Sequence, residues 1–303
     1  MSHRLQWSEL PEGLQRDIAT WLGAEIVEAS GAQGGYSPAL AARCLLADGR
    51  KVFLKAASPD VNPRTPDIMR REAALNRMLP ADAPAPQMLD SYDDGTWVVL
   101  AFATVEGQMP SMPWHHDDLQ RVARAAAGLA ELPVPELLRP VGEVLGHILC
   151  GWSRLREAGG EDASWEACHL DELCALEAQW PEAAAGEQFI HGDVRSDNIL
   201  LGADGRVTFV DWTECCKGSA AVDLVFAAPS VELEGGGSPE HFLALANIQT
   251  SAERITPIVA AITGYYVWSG IQPDPPGMPT VRAGQRAKAE IALRWLQRIH
   301  RFS

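Results

Sequence analysis

Residues 191–200 read HGDVRSDNIL, a His, two Asp, an Arg and an Asn within eight positions before the chain turns apolar. A surface turn needs only one or two polar residues, so this density points to a site for metal and phosphate. Asp193 is followed five residues later by Asn198 and, beyond a hairpin, by Asp211 at the end of the strand-like RVTFV. Two carboxylates and an amide then converge at one sheet edge. Mg2+ takes hard oxygen ligands and tends to be shared with substrate phosphates, so an Asn carbonyl and an Asp carboxylate form a suitable protein half-shell. The other Asp is left for proton chemistry.

Phosphoryl transfer uses a loop Asp to accept the hydroxyl proton, an Asn and a strand-end Asp to hold metal, and a strand Lys paired with a helix Glu to position phosphates. The chain offers these parts in order, with Lys55 in KVFLKAA and Glu72 in RREAAL. Lys51 lies nearby, but only Lys55 sits inside the apolar run, where an unpaired charge is costly. No GxxxxGK[ST] stretch occurs, which removes a P-loop nucleotide hydrolase.

The elements that must position these residues are legible from periodicity. Ser8 is placed to cap a helix whose Leu10, Leu14, Ile18, Trp21 and Leu22 share one side, with Gly23 at its end. EIVEAS, the glycine-bearing GAQGGYS, ALAARCLL and KVFLKAA follow, and Asp48-Gly49 between two β-prone runs signals a hairpin. RTPDIMRREAALNRMLP reads as a helix ended by Pro80, and PQMLDSY and WVVLAFA add two strands around DDG. After Gly107 the pattern predicts long helices over roughly 115–131, 137–158 and 164–185, then FIHGD, a strand pair NILLGADGRVTFVDW, and a closing helix RAGQRAKAEIALRWLQRIH. EGGGSP and QPDPPGMP read as connectors. The expected domains are 1–104, with 1–23 as a leading helix, and 105–303.

Composition bounds the partners. At 303 residues and 47% hydrophobic the chain can bury a large core, and a net charge of −15 argues against a nucleic acid or anionic membrane surface as partner. The start lacks the apolar core of a signal peptide and the run at 257–271 is too short to span a bilayer, so the expectation is a cytoplasmic protein. Of the six cysteines none is spaced CxxC, and although Cys168, His169 and Cys174 cluster, thiols six apart do not share one helix face, which favours packing over zinc. The acidity is concentrated in residues 131–187, with three Arg against twelve Asp and Glu. Solvated helix faces explain this; so does a field that attracts a cationic substrate.

HGDVRSDNIL followed by FVDW resembles the HGDxxxxNIL and DW signatures of the aminoglycoside phosphotransferase and choline kinase family, the small-molecule branch of the protein-kinase-like fold. The resemblance runs from GAQGGYS to VDL at 222–224. It implies an α+β, two-lobed fold: a five-stranded antiparallel N-lobe with one main helix, and a mostly helical C-lobe. It makes Asp193 the catalytic base, Asn198 and Asp211 the magnesium ligands, Lys55 the holder of the α- and β-phosphates, and Glu72 its partner. Gly34, Gly35 and Ser37 fall in the loop over the nucleotide, whose spacing departs from GxGxxG, and Ala103 to Val105 form the hinge facing adenine. His191 is read as holding the loop, Asp223 as bracing it through backbone N–H groups, and Asp197 as solvated.

The implied activity is an ATP- and Mg2+-dependent transfer of phosphate, with GTP as the other candidate donor, to a small-molecule hydroxyl. A cationic antibiotic, a case of antibiotic resistance, or an amino alcohol is the candidate acceptor, with Glu214 as a carboxylate for its amine. Arg195 stands where relatives carry His or a small residue, and is read as a cation for the transferring phosphoryl group, the alternative being a pair with Asp197. A nucleotide-binding pseudoenzyme with a regulatory role is the competing reading, disfavoured because Lys55, Asp193, Asn198 and Asp211 are all present.

Overall fold

A computed structural model describes residues 4–32, 38–159, 164–275 and 278–302. The loop residues Gly34, Gly35 and Ser37 lie outside the described residues. The chain enters through a 3-10 turn at Trp7–Glu9 and the helix α1 (Glu12–Leu22). Ser8 therefore does not cap α1; Pro11 precedes it, since proline fits the rim of a helix where no N–H is needed. Gly23 ends the helix at φ 74°, as the sequence suggests.

Five strands follow: β1 (Ile26–Gly31), β2 (Leu40–Leu46), β3 (Lys51–Ala57), β4 (Met88–Asp93) and β5 (Val98–Ala103). They form one antiparallel sheet in the order β1-β2-β3-β5-β4. Side chains alternate across a strand, and the two faces are dressed differently. Leu40, Ala42, Cys44, Val52, Leu54, Ala56, Val99 and Ala101 pack beneath Leu14 and Ile18 of α1 and Leu10 just before it. On the other face Val98, Leu100 and Phe102 pack with Met69 and Ala73 of α2 (Thr65–Asn76). Lys55 falls on the α2 face by the same period of two, which is what aims it at Glu72. α2 stops at Asn76 rather than Pro80, its end unwinding into turns over Arg77–Leu79.

The second lobe carries α3 (His116–Gly128), α4 (Val141–Leu145), α5 (Gly151–Ala158), α6 (Trp165–Cys168), α7 (Leu170–Glu177) and α8 (Trp180–Ala183). The two long helices expected over 137–158 and 164–185 are thus each broken. Gly151 opens a new helix because α5 crosses α11 (Ala252–Gly270) backbone to backbone: a Cβ there would stand 1.9 Å from the Gly264 carbonyl oxygen. Pro181 forces a fresh start at α8, where its missing N–H costs nothing. The buried Glu177 crosses to the α5 start and accepts from Trp152 N at 2.8 Å, Ser153 N at 2.9 Å and Ser153 Oγ at 2.7 Å. One member of the acidic 131–187 segment is therefore a helix cap rather than a surface charge.

The remaining strands are short: β6 (Gln188–Ile190), β7 (Ile199–Leu201), β8 (Val207–Phe209) and β9 (Cys216–Gly218). β7 pairs with β8 as expected, while β9, which the sequence does not announce, pairs with β6 and buries Cys215 and Cys216. α9 (Ala221–Leu233), α10 (Pro239–Ala246), α11 and α12 (Val281–Ile299) complete the helical core. Among the described residues no helix is long and apolar enough to cross a membrane.

Candidate active site

The two lobes enclose a cleft of about 600 Å³. Its upper wall is the α2 face of the sheet, with Ala41, Arg43, Phe53 and Lys55, and its floor holds Asn198, Leu200, Asp211 and Trp212. Ala103, Thr104 and Val105 line its back, where the chain passes between lobes. That crossing is pinned just beyond by Gln108, which exchanges two backbone hydrogen bonds with Leu201 of β7.

The buried charges inside are paired. Lys55 Nζ donates to Glu72 Oε1 at 2.6 Å and to Asp211 Oδ1 at 3.2 Å. Burial alone would lower the lysine's pKa, but the fields of Asp211 and Glu72 outweigh it and hold the ammonium above its ordinary value. Lys55 in turn holds Asp211 below the usual carboxylate range in spite of burial. Asp211 has φ 68°, a left-handed conformation uncommon outside glycine. Its neighbours over-determine it: Val210 N donates to Asn198 O at 2.9 Å, and Trp212 is a core anchor whose Nε1 donates to Phe209 O at 2.8 Å.

The HGD loop is built on two buried groups. Asp223 of α9 accepts from His191 N at 2.8 Å and from Gly192 N at 2.7 Å. His191 Nε2 donates to Val210 O at 3.0 Å, and its Nδ1 accepts from Asp193 N at 3.2 Å. Burial drives the imidazole down to about 4, so near neutrality it is an uncharged brace and not an acid or base. Gly192 sits at φ 82° with Glu214 O 2.4 Å from where a Cβ would be, so no other residue fits. The loop thereby presents Asp193, whose Oδ2 accepts from Asn198 Nδ2 at 3.0 Å. Burial pushes the Asp193 carboxyl up to about 6, with Arg195 opposing the rise.

Asn198 gives a second hydrogen bond from Nδ2 to Asp193 O, also 3.0 Å. Both amide protons are spent on Asp193, which leaves Oδ1 as the group available to a cation. Asp211 likewise keeps a carboxylate oxygen beyond the one held by Lys55. Two hard oxygen donors beside a phosphate-sized cleft suit magnesium, which completes its shell with water and phosphate oxygens. Among the described residues no three His, Cys, Asp or Glu side chains gather as a metal site, and Cys168, His169 and Cys174 do not converge as one.

A model of the phosphotransferase enzyme family matches residues 28–252, from β1 to the start of α11 and through every residue just described. The chain belongs to that family. It is a phosphotransferase by family. The fold is similar to a thermostable variant of the aminoglycoside phosphotransferase APH(4)-Ia in complex with ADP and hygromycin B, at 14% identity, TM-score 0.62, covering 95% of this chain and 97% of that one. It is similar to the choline kinase LicA from Streptococcus pneumoniae, at 13% identity, TM-score 0.61, covering 95% and 98%. It is also similar to a macrolide 2'-phosphotransferase from Brachybacterium faecium, at 17% identity, TM-score 0.53, covering 94% and 97%. No curated protein sequence matches the chain.

Several charged residues sit differently from their expectation. Arg195 takes up the alternative arrangement, a pair with Asp197. Its guanidinium forks onto Asp197, with Nε to Oδ1 at 3.0 Å and Nη2 to Oδ2 at 2.8 Å, and its Nη1 lies 3.6 Å from Asp193 Oδ2. Asp197 is accordingly tied down rather than solvated. Glu214 forms an ion pair with Arg71 of α2. None of the described carboxylates at 131–187 lines the cleft.

Residues that the motifs did not announce also contribute. Arg4 reaches the cleft from the leading segment and donates to Ala32 O at 2.8 Å. Ser196 Oγ and Trp114 Nε1 both donate to Glu234, at 2.7 and 3.0 Å, so the glycine-rich connector is anchored beside the catalytic loop. No spacing rule connects residues 114, 196 and 234.

Proposed function

We propose that the enzyme transfers the γ-phosphoryl group of ATP, with magnesium, to a hydroxyl of a small molecule. The observation that carries this is the Asp193 carboxyl: half-buried, oriented by Asn198, and raised to about 6 next to a cleft that holds the Lys55–Glu72–Asp211 network. A base must be ionised yet still able to take a proton, and a carboxyl near 6 meets both needs.

In the proposed reaction the adenine end lies against Ala103 to Val105 and Lys55 grips the α- and β-phosphates, while Glu72 keeps the ammonium in place. Asn198 and Asp211 hold magnesium, which neutralises phosphate charge when bound. Asp193 accepts the acceptor's hydroxyl proton as that oxygen bonds the γ-phosphorus. The bond from phosphorus to the bridging oxygen breaks, its electron pair leaves with ADP, and the proton later passes from Asp193 to solvent. Paired charges need no rearrangement at the moment of transfer, which is how a fixed environment lowers a barrier.

The test is binding of a non-hydrolysable ATP analogue with and without magnesium, followed by ADP release over a panel of hydroxyl compounds. Magnesium-dependent binding that disappears in Asp211→Ala, with ADP release coupled to a phosphate ester, is the expected result. Analogue binding indifferent to magnesium and to Asp211→Ala would sink the proposal.

A further inference from the structure

The C-terminal helices bring a second set of polar groups within the field of Asp193. α11 contributes Tyr265 and Tyr266, and α12 contributes Gln285 and Lys288. Gln285 Nε2 donates to Tyr265 Oη at 3.1 Å, and Lys288 Nζ stands 5.0 Å from the Tyr266 ring centroid. Tyr265, Tyr266 and Lys288 all feel the charges of Asp193 and Arg195, so this wall faces the catalytic loop. Family membership says nothing of what it receives.

The hydrogen-bond inventory is one-sided. Asp197 is forked by Arg195, Glu234 holds Ser196 and Trp114, Glu214 is paired with Arg71, and Asp193 is committed to Asn198 and to proton chemistry. Every carboxylate near the reacting centre already holds a donor. Lys288 is the opposite case: half-buried against an aromatic face, it makes no ion pair or hydrogen bond among the described residues. Burial lowers its pKa and Arg195 adds to the effect, the cost of holding an ammonium without a direct partner. An ammonium has three donors and no acceptor. Asp193, Asp197 and Glu234 oppose that shift through their fields, but none is in contact with the ammonium among the described residues.

We infer that Lys288, seated over Tyr266, is the recognition residue for a carboxylate or phosphate group on the acceptor, so that the substrate is an anionic hydroxyl compound rather than an amine. This rests on the phosphotransferase reading of Asp193 and the cleft. It reverses the expectation of a cationic acceptor, because Glu214 is paired with Arg71 and none of the described carboxylates of 131–187 lines the cleft. Lys288 is a binding residue here and takes no part in proton transfer.

The experiment compares acceptors of matched size and different charge with ATP and magnesium: glycerate and glycerol phosphate, neutral glycerol, and cationic ethanolamine and kanamycin. The anionic members are expected to show the highest kcat/KM. Lys288→Met, which keeps the side-chain length over Tyr266, should raise their KM by about ten- to a hundredfold, the effect of losing a charge-assisted hydrogen bond. KM for ATP should move less than about twofold, and Lys288→Arg should retain most of the acceptor affinity. A wild-type preference for cationic or neutral acceptors, or an anionic KM unmoved in Lys288→Met, overturns the inference. If no member turns over, the same compounds are added to the protein loaded with ATP analogue and thermal stability is read. Stabilisation by the anionic members in wild type and not in Lys288→Met supports Lys288 binding, and no stabilisation by either anionic member overturns it. Failure of the phosphotransferase reading registers separately, as loss of magnesium-dependent analogue binding in wild type.

Discussion

The proposed nucleotide side and the proposed acceptor side of Asp193 are built on different principles. On the proposed nucleotide side the buried polar groups are closed: Lys55 is satisfied by Glu72 and Asp211, and the Asn198 amide by Asp193. On the acceptor side Lys288 stands open over Tyr266. A closed network costs no reorganisation when a common donor binds, whereas an open charge discriminates among partners because it must find one to recover its desolvation. The contrast teaches that the shared part of the chemistry is preorganised and the selective part is left incomplete.

The sharpest way to probe the border between the two sides is Asp193→Asn, which removes the base and keeps the shape. Turnover should fall by roughly 10²- to 10⁴-fold, the range for a positioned general base, with ATP-analogue affinity largely intact. Single-turnover kinetics check this; near-normal kcat would take Asp193 out of the reaction.

Next in size is the support beneath both sides. Asp223→Ala strips the acceptors from His191 N and Gly192 N, two buried donors. Leaving each unsatisfied costs about 1–3 kcal/mol, so chemical denaturation should show a loss of a few kcal/mol. An unchanged midpoint would mean that the loop finds other acceptors.

A smaller effect should separate the sides cleanly. Glu72→Gln weakens the hold on Lys55 and should raise the ATP-analogue Kd by about tenfold, with acceptor KM hardly changed, since a charged hydrogen bond contributes about 1.5–3 kcal/mol. Calorimetry on both ligands reads the split. Equal losses for nucleotide and acceptor would erase the distinction between the two networks.

The smallest change is in pH dependence. Asp193 acts as a base only when ionised, so kcat/KM should fall as pH drops through about 6, its burial-raised value, and level off above it. Arg195 opposes that rise, so Arg195→Ala should move the acidic limb to higher pH while costing little at pH 8. An acidic limb that stays in place would assign Arg195 wholly to its pair with Asp197.

Much of the nucleotide side was open to reading from residue order. Alternation by two carries Lys55 to the α2 face, HGDVRSDNIL fixes the separation of Asp193 and Asn198, and FVDW sets Asp211 beside a tryptophan that must be buried. These relations are short in sequence, and backbone geometry settles them almost alone. The helices of the second lobe were less legible, because Gly151 and Pro181 interrupt apolar patterns whose period continues past them. What tertiary structure alone decided is which charges meet. Arg71 and Glu214 are 143 residues apart, and Ser196 and Glu234 are 38 apart. Ion pairing depends on which helix packs against which loop, and a side chain is left open only when every neighbour has found another partner. Lys288 on an amphipathic helix reads in sequence as one more surface lysine; the packing of α11 and α12 turns it toward Asp193 without giving it a partner.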